Sequence, residues 1–330
     1  MALSDLSVFS EYAYESLTEV LAQQVDLFNE ASNGCIRLSV AAHQGDYSDM
    51  VFFGKVAGLV RRRNAYGSAS LSEKVLGQKD WIKVKVAAGT PPVRLDPSQW
   101  RWIQMDPATA GAAMGQQIAK ETLADMLNTS VGAAAGAIQN ANVGSGITGN
   151  LVYDITAQSK TTVNPIAQVN TTQLFGDYSS AIEAWVMHSK PMGDLWVDAL
   201  TQTSSAFLFN YGTVAVKEDP FGRRFVISDI PNLVISGSPN EYMSLALVPE
   251  AIVCEQNSDF DDNYQTINGN ENIKRTYQAE WSYELGIKGY AWDKTNGGHS
   301  PTDAALMTGS NWDAIMTSIK DSAGLMLLSK

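Results

Sequence analysis

The chain has 330 residues, 45% hydrophobic and 18% charged, enough to bury a sizeable core in one large or two modest domains. No run approaches ~18 consecutive apolar residues, which excludes a helical membrane span. With 23 basic against 35 acidic side chains, the chain lacks the overall basic balance of a dedicated nucleic-acid binder.

Leu6, Phe9, Ala13, Leu17, Leu21 and Phe28 recur at near-helical spacing, with Glu11, Glu15 and Glu19 on other faces. This predicts an amphipathic helix that stops near Asn33-Gly34, either an ordinary surface helix or an arm packed on a neighbouring molecule. From about Asp46 to Trp100 the pattern changes. Ile82, Val84 and Val86 alternate with Trp81, Lys83 and Lys85, the period of a half-exposed strand. Upstream lie the apolar runs Met50 to Phe53 and Val56 to Val60, then Arg61, Arg62 and Arg63, then the turn-rich stretch Asn64 to Lys79. Together they predict a long two-stranded excursion with a loose tip. Legs of some twenty residues would reach on the order of 60 Å, and a lone ribbon is marginal in water without a surface to lie on.

Asp106-Pro107 is a helix start, with Asp at the cap and Pro at the first helical position. Leu123, Leu127, Val131, Ala134 and Ile138 trace one face of the helix that follows, which runs to about Asn140. Gly111, Gly115, Gly132 and Gly136 weaken its expected regularity. Beyond the Gly-rich stretch Asn142 to Asn150, Leu151 to Ile155 reads as a strand. Asp177 caps a helix through Ile182, Trp185 and Val186, and Pro191 starts another through Leu195. Val214 to Val216, Phe225 to Ile227 and Leu245 to Val248 read as short strands. Glu255 to Asn272 reads as a polar loop, Ala279 to Trp292 as a strand, and Asn311 to about Lys320 as a helix. A long helix, mixed sheet and projecting hairpin make an α+β class.

Charge is unevenly placed. Residues 1–50 hold one basic and eight acidic side chains, whereas residues 51–101 hold ten basic and three acidic. Opposed patches of this kind fix register between copies of one chain; the alternative is a solvated basic loop. Trp81, Trp100 and Trp102 interleave with Lys83, Lys85 and Arg101, as on a single-stranded nucleic-acid platform, but the acidic balance favours the two faces of a packed hairpin.

Catalytic and ligand motifs fare poorly. The glycine string from Gly144 to Gly149 has dinucleotide-binding spacing but follows a helix and enters a strand, the reverse of what pyrophosphate binding requires, so it reads as a linker. Asp259, Asp261 and Asn263 have the 1-3-5 spacing of a calcium loop, yet Tyr264 replaces its glycine and Asn270 its bidentate glutamate, leaving at most a weak calcium site across residues 259–270. His43, His188 and His299 are scattered and suit packing or interfaces. No nucleophile elbow, Ser-x-x-Lys pair or phosphate-loop lysine occurs, and Asp261-Asp262 lies in polar sequence with nothing to mark a pKa-shifting pocket. Cys35 and Cys254 form neither a metal pair nor a disulfide framework and suit reduced thiols. Met1 to Glu11 has no basic patch before an apolar run, so no secretory signal is expected, and the sequons at Asn128 and Asn170 read as chance matches. No enzyme, cofactor or metal is expected.

Several strings resemble the coat-protein fold shared by tailed phages, herpesvirus capsid floors and encapsulins. Leu174 to Tyr178 with Ala184 to Ser189 is similar to the axial-domain helix of phage major capsid proteins. Gly222 to Pro231, Tyr242 and Leu245 to Pro249 are similar to the strands after it, and Ala279 to Tyr290, Ser300 to Asp303 and Asn311-Trp312 to the end of one coat-protein subgroup. The N-terminal third rests on element order alone. The resemblance implies an N-terminal arm (1–45), an extended two-stranded loop (46–105), a spine helix of the peripheral domain (106–149), an axial domain (150–250) and a mainly peripheral remainder (251–330). It implies hexamers and pentamers of an icosahedral phage head around double-stranded DNA, made in the bacterial host cytoplasm and residing in the virion, with no membrane partner. Arg61, Arg62, Arg63, Trp81, Lys83, Lys85 and Arg94 would form the interface between subunits. No acidic coiled extension precedes the arm, which implies a separate scaffolding protein. A portal protein is implied too, and decoration or cement proteins and Lys-to-Asn cross-linking are left open. The alternatives are an encapsulin-type compartment shell, which shares the fold, and, more distantly, a soluble enzyme of unknown class.

Overall fold

The computed structural model describes residues 3–41, 45–54, 56, 59–68, 70–95, 107–140, 150–201, 217–218, 222–269, 271 and 273–330. Its axis is a helix pair. Helix α1 (Leu3–Ala31) buries Phe9, Ala13, Leu17 and Leu21, a four-residue repeat that places one stripe against Ile118 and Ala119. Those two residues lie on the spine helix α2 (Pro107–Asn140), 34 residues and about 50 Å long. The helices meet where the spine has glycine. A Cβ on Gly111 would lie 2.5 Å from the carbonyl oxygen of Phe9, and one on Gly115 2.2 Å from that of Ala13. These glycines therefore serve close approach, and the helix runs unbroken through them. From Thr129 to Ile138 every spine residue is buried, so this end is alanine-rich and apolar all round.

Two seven-stranded sheets flank the spine. In chain order, the strands of the first are β1 (Ile36–Val40), β2 (Tyr47–Phe53), β3 (Gln78–Gly89) and β4 (Val93–Leu95), with β11 (Ile252–Gln256), β12 (Asp261–Ile267) and β13 (Lys274–Ile287) arriving much later. They are ordered β1-β11-β13-β3-β2, with β4 and β12 also paired to β13. Only β1 and β11 run parallel in this sheet. The second sheet uses β5 (Val152–Asp154), β6 (Ala184–Met187), β7 (Lys217–Glu218), β8 (Arg224–Ile227), β9 (Val234–Ile235), β10 (Glu241–Leu247) and β16 (Gly324–Ser329). Its order is β5-β16-β10-β6-β8-β7, with β9 on β10. A small ribbon, β14 (Tyr290–Trp292) with β15 (Trp312–Ala314), stacks buried Trp292 on Trp312 edge-to-face at 4.9 Å. Helices α3 (Pro165–Gln173), α4 (Ser189–Thr201) and α5 (Asp303–Met307) complete the chain.

Several sequence expectations are corrected. Ala184 to Met187 is a fully buried strand in the second sheet, not a helix, and Asp177 lies in a 3-10 turn, Gly176–Ala181, that stops before it. Four consecutive buried apolar residues carry no period, so their sequence suits either state. His188 accordingly follows a strand. Asp261 to Ile267 is a strand rather than loop, held by ladder bonds to β13 despite its polar sequence. Asn311 to Lys320 contains β15 and 3-10 turns instead of a helix; the helix lies earlier, at α5. The expected strand at Val214 to Val216 and the glycine string 144–149 fall outside the described residues. The C-terminal strand β16 belongs to the second sheet, between β5 and β10, and so returns to the body expected for 150–250.

Candidate interaction surfaces

Strands β2 and β3 form an antiparallel hairpin of seven rungs, from Tyr47↔Val84 to Phe53↔Gln78. That is about 23 Å of paired ribbon, shorter than the sequence allowed. Gly54 N–H donates to the Gly77 carbonyl at 2.8 Å, and beyond that closure no described residue up to Gly77 is in a strand or helix. The tip is solvated. Val60 is 95% exposed, Val75 84% and Tyr66 fully exposed, with Leu59, Leu71 and Leu76 also largely in water. Arg61, Arg62 and Arg63 are exposed, and among the described residues no ion pair is formed by any of them. A soluble subunit gains nothing by holding this much apolar and cationic surface in water, and such surface marks contact sites.

The root of the hairpin behaves differently. Beyond the hairpin, β3 continues into the first sheet, where Val84 to Gly89 pair with β13. Lys83 is 7% exposed and its Nζ lies 2.6 Å from Glu255 Oε2, while it also caps the Trp81 ring at 5.2 Å. Trp81 is half-buried and donates its indole N–H to the Ile287 carbonyl at 3.0 Å. Lys85 Nζ is 3.4 Å from Asp259. Burial acts to raise the Asp259 carboxyl, but hydrogen bonds from Ser282 and the Lys85 ammonium hold it below the ordinary carboxylate range. Trp81, Lys83 and Lys85 are thus engaged by residues of the same chain. Arg94 is exposed on β4, opposite Thr276. Alternation marked these lysines as facing one side; it could not show that Glu255 and Asp259, some 170 residues later, stand on that side.

Helix α1 likewise packs on the spine helix of the same chain. Asn29 shields the free edge of the first sheet: its carboxamide donates to the Leu38 carbonyl and accepts from the Leu38 N–H, each at 2.8 Å. Ser32 Oγ donates to the Ile36 carbonyl at 3.2 Å. These bonds fill outward-facing groups of β1 that would otherwise recruit a strand. No sequence signal singled out Asn29.

The calcium spacing does not make a binding loop. Asp259 is held by Ser282 and Lys85, and Asp261 and Asn263 are rungs of β12 opposite Glu280 and Gln278. His188 lies 3.5 Å from Asp229 and packs on Tyr242, and His299 lies 3.2 Å from Asp46; His43 is outside the described residues. A cleft of about 810 Å³ between the spine and the first sheet contains Asp125, Tyr283 and Asp303. Burial, reinforced by the charge of Asp303, raises the Asp125 carboxyl, against the Tyr283 hydroxyl 3.4 Å away. Burial pushes the Cys35 thiol up to about 12 and raises Cys254 as well, so neither is primed as a nucleophile. Among the described residues no cluster of three or more metal-ligating side chains forms, and no helix is long and apolar enough to cross a membrane.

The family model described as "Major capsid protein 13-like" matches residues 5–326. Among solved structures the chain is similar to one described as the Cyanophage Pam1 capsid asymmetric unit, at 11% identity over 89% of this chain and 88% of that one, with a TM-score of 0.53. It is also similar to a chain from Microbacterium phage Oxtober96, at 10% identity over 90% of both chains, with a TM-score of 0.50. At such identities these two likenesses speak to fold alone. No curated protein matches the sequence.

Proposed function

Because the chain belongs to the major capsid protein 13-like family, and therefore builds the shell of a phage head, we propose how its copies are joined. Subunits gather into hexamers and pentamers, with the second sheet facing the capsomer centre and the hairpin tip reaching across a neighbouring copy. The observation that carries this reading is the tip itself, whose valines, leucines and arginines stand in water with nothing among the described residues to cover them. Burial of its apolar side chains, repeated around the shell, supplies the binding free energy, and the arginine triplet sets register on a neighbour's acidic surface. The working interface is Arg61, Arg62 and Arg63, with Arg94 at its margin; the root lysines hold the hairpin upright.

The chain's work is assembly rather than catalysis. A separate scaffolding protein guides assembly, and a head filled with double-stranded DNA calls for a portal. Contact with DNA is non-specific and confined to the inner surface, because an acidic chain neutralises few phosphates. Synthesis takes place in the host cytoplasm. Co-expression with the neighbouring genes, followed by electron microscopy, tests this. Shells are expected from the native chain, and a folded but unassembled subunit from Arg61→Glu/Arg62→Glu/Arg63→Glu. Normal shells from that triple variant would refute the role given to the tip.

A further inference from the structure

A groove of about 420 Å³ runs between α1 and the edge of the first sheet. Tyr14, Leu17, Leu21, Val25, Val40 and Phe260 give it an apolar lining, and Val40 is 69% exposed. Asn257 also lines it. That residue is 4% exposed and its Nδ2 donates to Ser282, but its Oδ1 accepts nothing among the described residues. A buried acceptor without a donor is a standing cost that a seated polar partner relieves.

One wall of the groove carries charge. Glu11, Glu15 and Glu19 are exposed on α1, and none of them is in an ion pair among the described residues. Tyr14 and Thr18, on the groove wall, stand three residues from Glu11 and Glu15 and so neighbour them on the helix surface. Like charges four residues apart disfavour an isolated helix, so this ridge is not explained by the stability of α1.

We infer that this groove and its glutamate ridge receive the segment Leu59 to Arg63 of a second copy of the chain. The two surfaces match in order and in spacing. Leu59 and Val60, 73% and 95% exposed, are followed directly by three exposed arginines, as the apolar groove is bordered directly by exposed glutamates. On a helix, residues four apart rise by about 6 Å. In an extended segment, alternate residues are separated by about 6.6 Å. Arg61 and Arg63 therefore fall in step with adjacent glutamates of the ridge, and the intervening Arg62 points to the other side. The inference rests on the proposal that the tip meets a neighbour, and it adds which surface of the neighbour is met.

The test uses two chains that each carry one new cysteine, Glu15→Cys in one and Arg61→Cys in the other. Native Cys35 and Cys254 are both buried and do not interfere. The chains are co-assembled with the scaffolding protein, oxidised, and run on a non-reducing gel. A covalent dimer from the mixed shells, lost when either chain is assembled alone, is the expected result. A second arm keeps both surfaces charged: Glu11→Arg/Glu15→Arg/Glu19→Arg is expected to abolish shells, and adding Arg61→Glu/Arg62→Glu/Arg63→Glu to the same chain to restore them. Normal shells with no cross-link and no rescue overturn the inference while the tip keeps a role elsewhere. Loss of scaffolding protein from the Glu-substituted chain, with the mixed cross-link absent, assigns the groove to that partner and also overturns it. Failure of the native chain to form shells removes both this inference and the proposal beneath it.

Discussion

Gly115→Ala sets two opposing effects against each other at the crossing of α1 and the spine. In an isolated helix this exchange favours the helical state by about 1 kcal/mol, because alanine has less backbone freedom to lose. In this protein the new methyl would stand 2.2 Å from the carbonyl oxygen of Ala13 and 3.0 Å from its carbonyl carbon. Both are backbone atoms, so no side-chain rotation relieves the overlap. Helix α1 must withdraw by roughly 1 Å, a gap at which packed atoms forfeit a quarter to a half of their dispersion attraction. Overpacking of this kind costs about 1–3 kcal/mol, and against the propensity gain the net expectation is a loss of about 1–2 kcal/mol. Gly193→Ala is the control. That glycine lies within α4 with nothing inside 4 Å of its virtual Cβ, so the propensity gain acts alone and the variant is stabilised by up to about 1 kcal/mol. Urea unfolding of the unassembled subunit, followed by tryptophan fluorescence, reads both as shifts of midpoint at constant slope. Midpoints that move in the same direction would refute the reasoning.

Other variants probe the root of the hairpin, the sheet edge and the acidic cleft. Lys83→Met strands Glu255 beside its cross-strand neighbour Glu284, which is 2% exposed, and is expected to cost about 3–5 kcal/mol in urea unfolding. Lys83→Met with Glu255→Leu should recover most of that, and equal losses from the single and double variants would contradict the pairing. Asn29→Ala removes both 2.8 Å bonds to Leu38, at about 1–3 kcal/mol; hydrogen exchange should show the Leu38 amide accelerated. Asp125 has a raised carboxyl, so the folded state holds its proton more tightly than the unfolded state. Its penalty is therefore in full force above the raised pKa and is relieved as pH falls through that value towards the ordinary 3.8. Asp125→Asn should stabilise the subunit at neutral pH and flatten that part of the pH profile; an unchanged slope in pH-dependent unfolding would contradict the placement of Asp125 opposite Asp303.

Periodicity in the sequence was enough for elements with one wet face and one dry face. The four-residue stripe of α1 and the alternation of β3 each state which side turns inward, and that information is local. The exposure of Arg61, Arg62 and Arg63 was legible too, from the turn-rich sequence that follows them. Where both faces are dry or both are wet, period vanishes. Ala184 to Met187 is buried on every side and Asp261 to Ile267 is polar almost throughout, so pairing with β8 and β10, or with β13, decided that they are strands. Gly111 and Gly115 of the spine read as weak points in one dimension and became contact points only once α1 was laid across them. Tertiary structure likewise decided which carboxylates Lys83 and Lys85 meet, Glu255 and Asp259. A side chain's direction is fixed by its own strand, but the charge that meets it is brought by a strand from the far end of the chain.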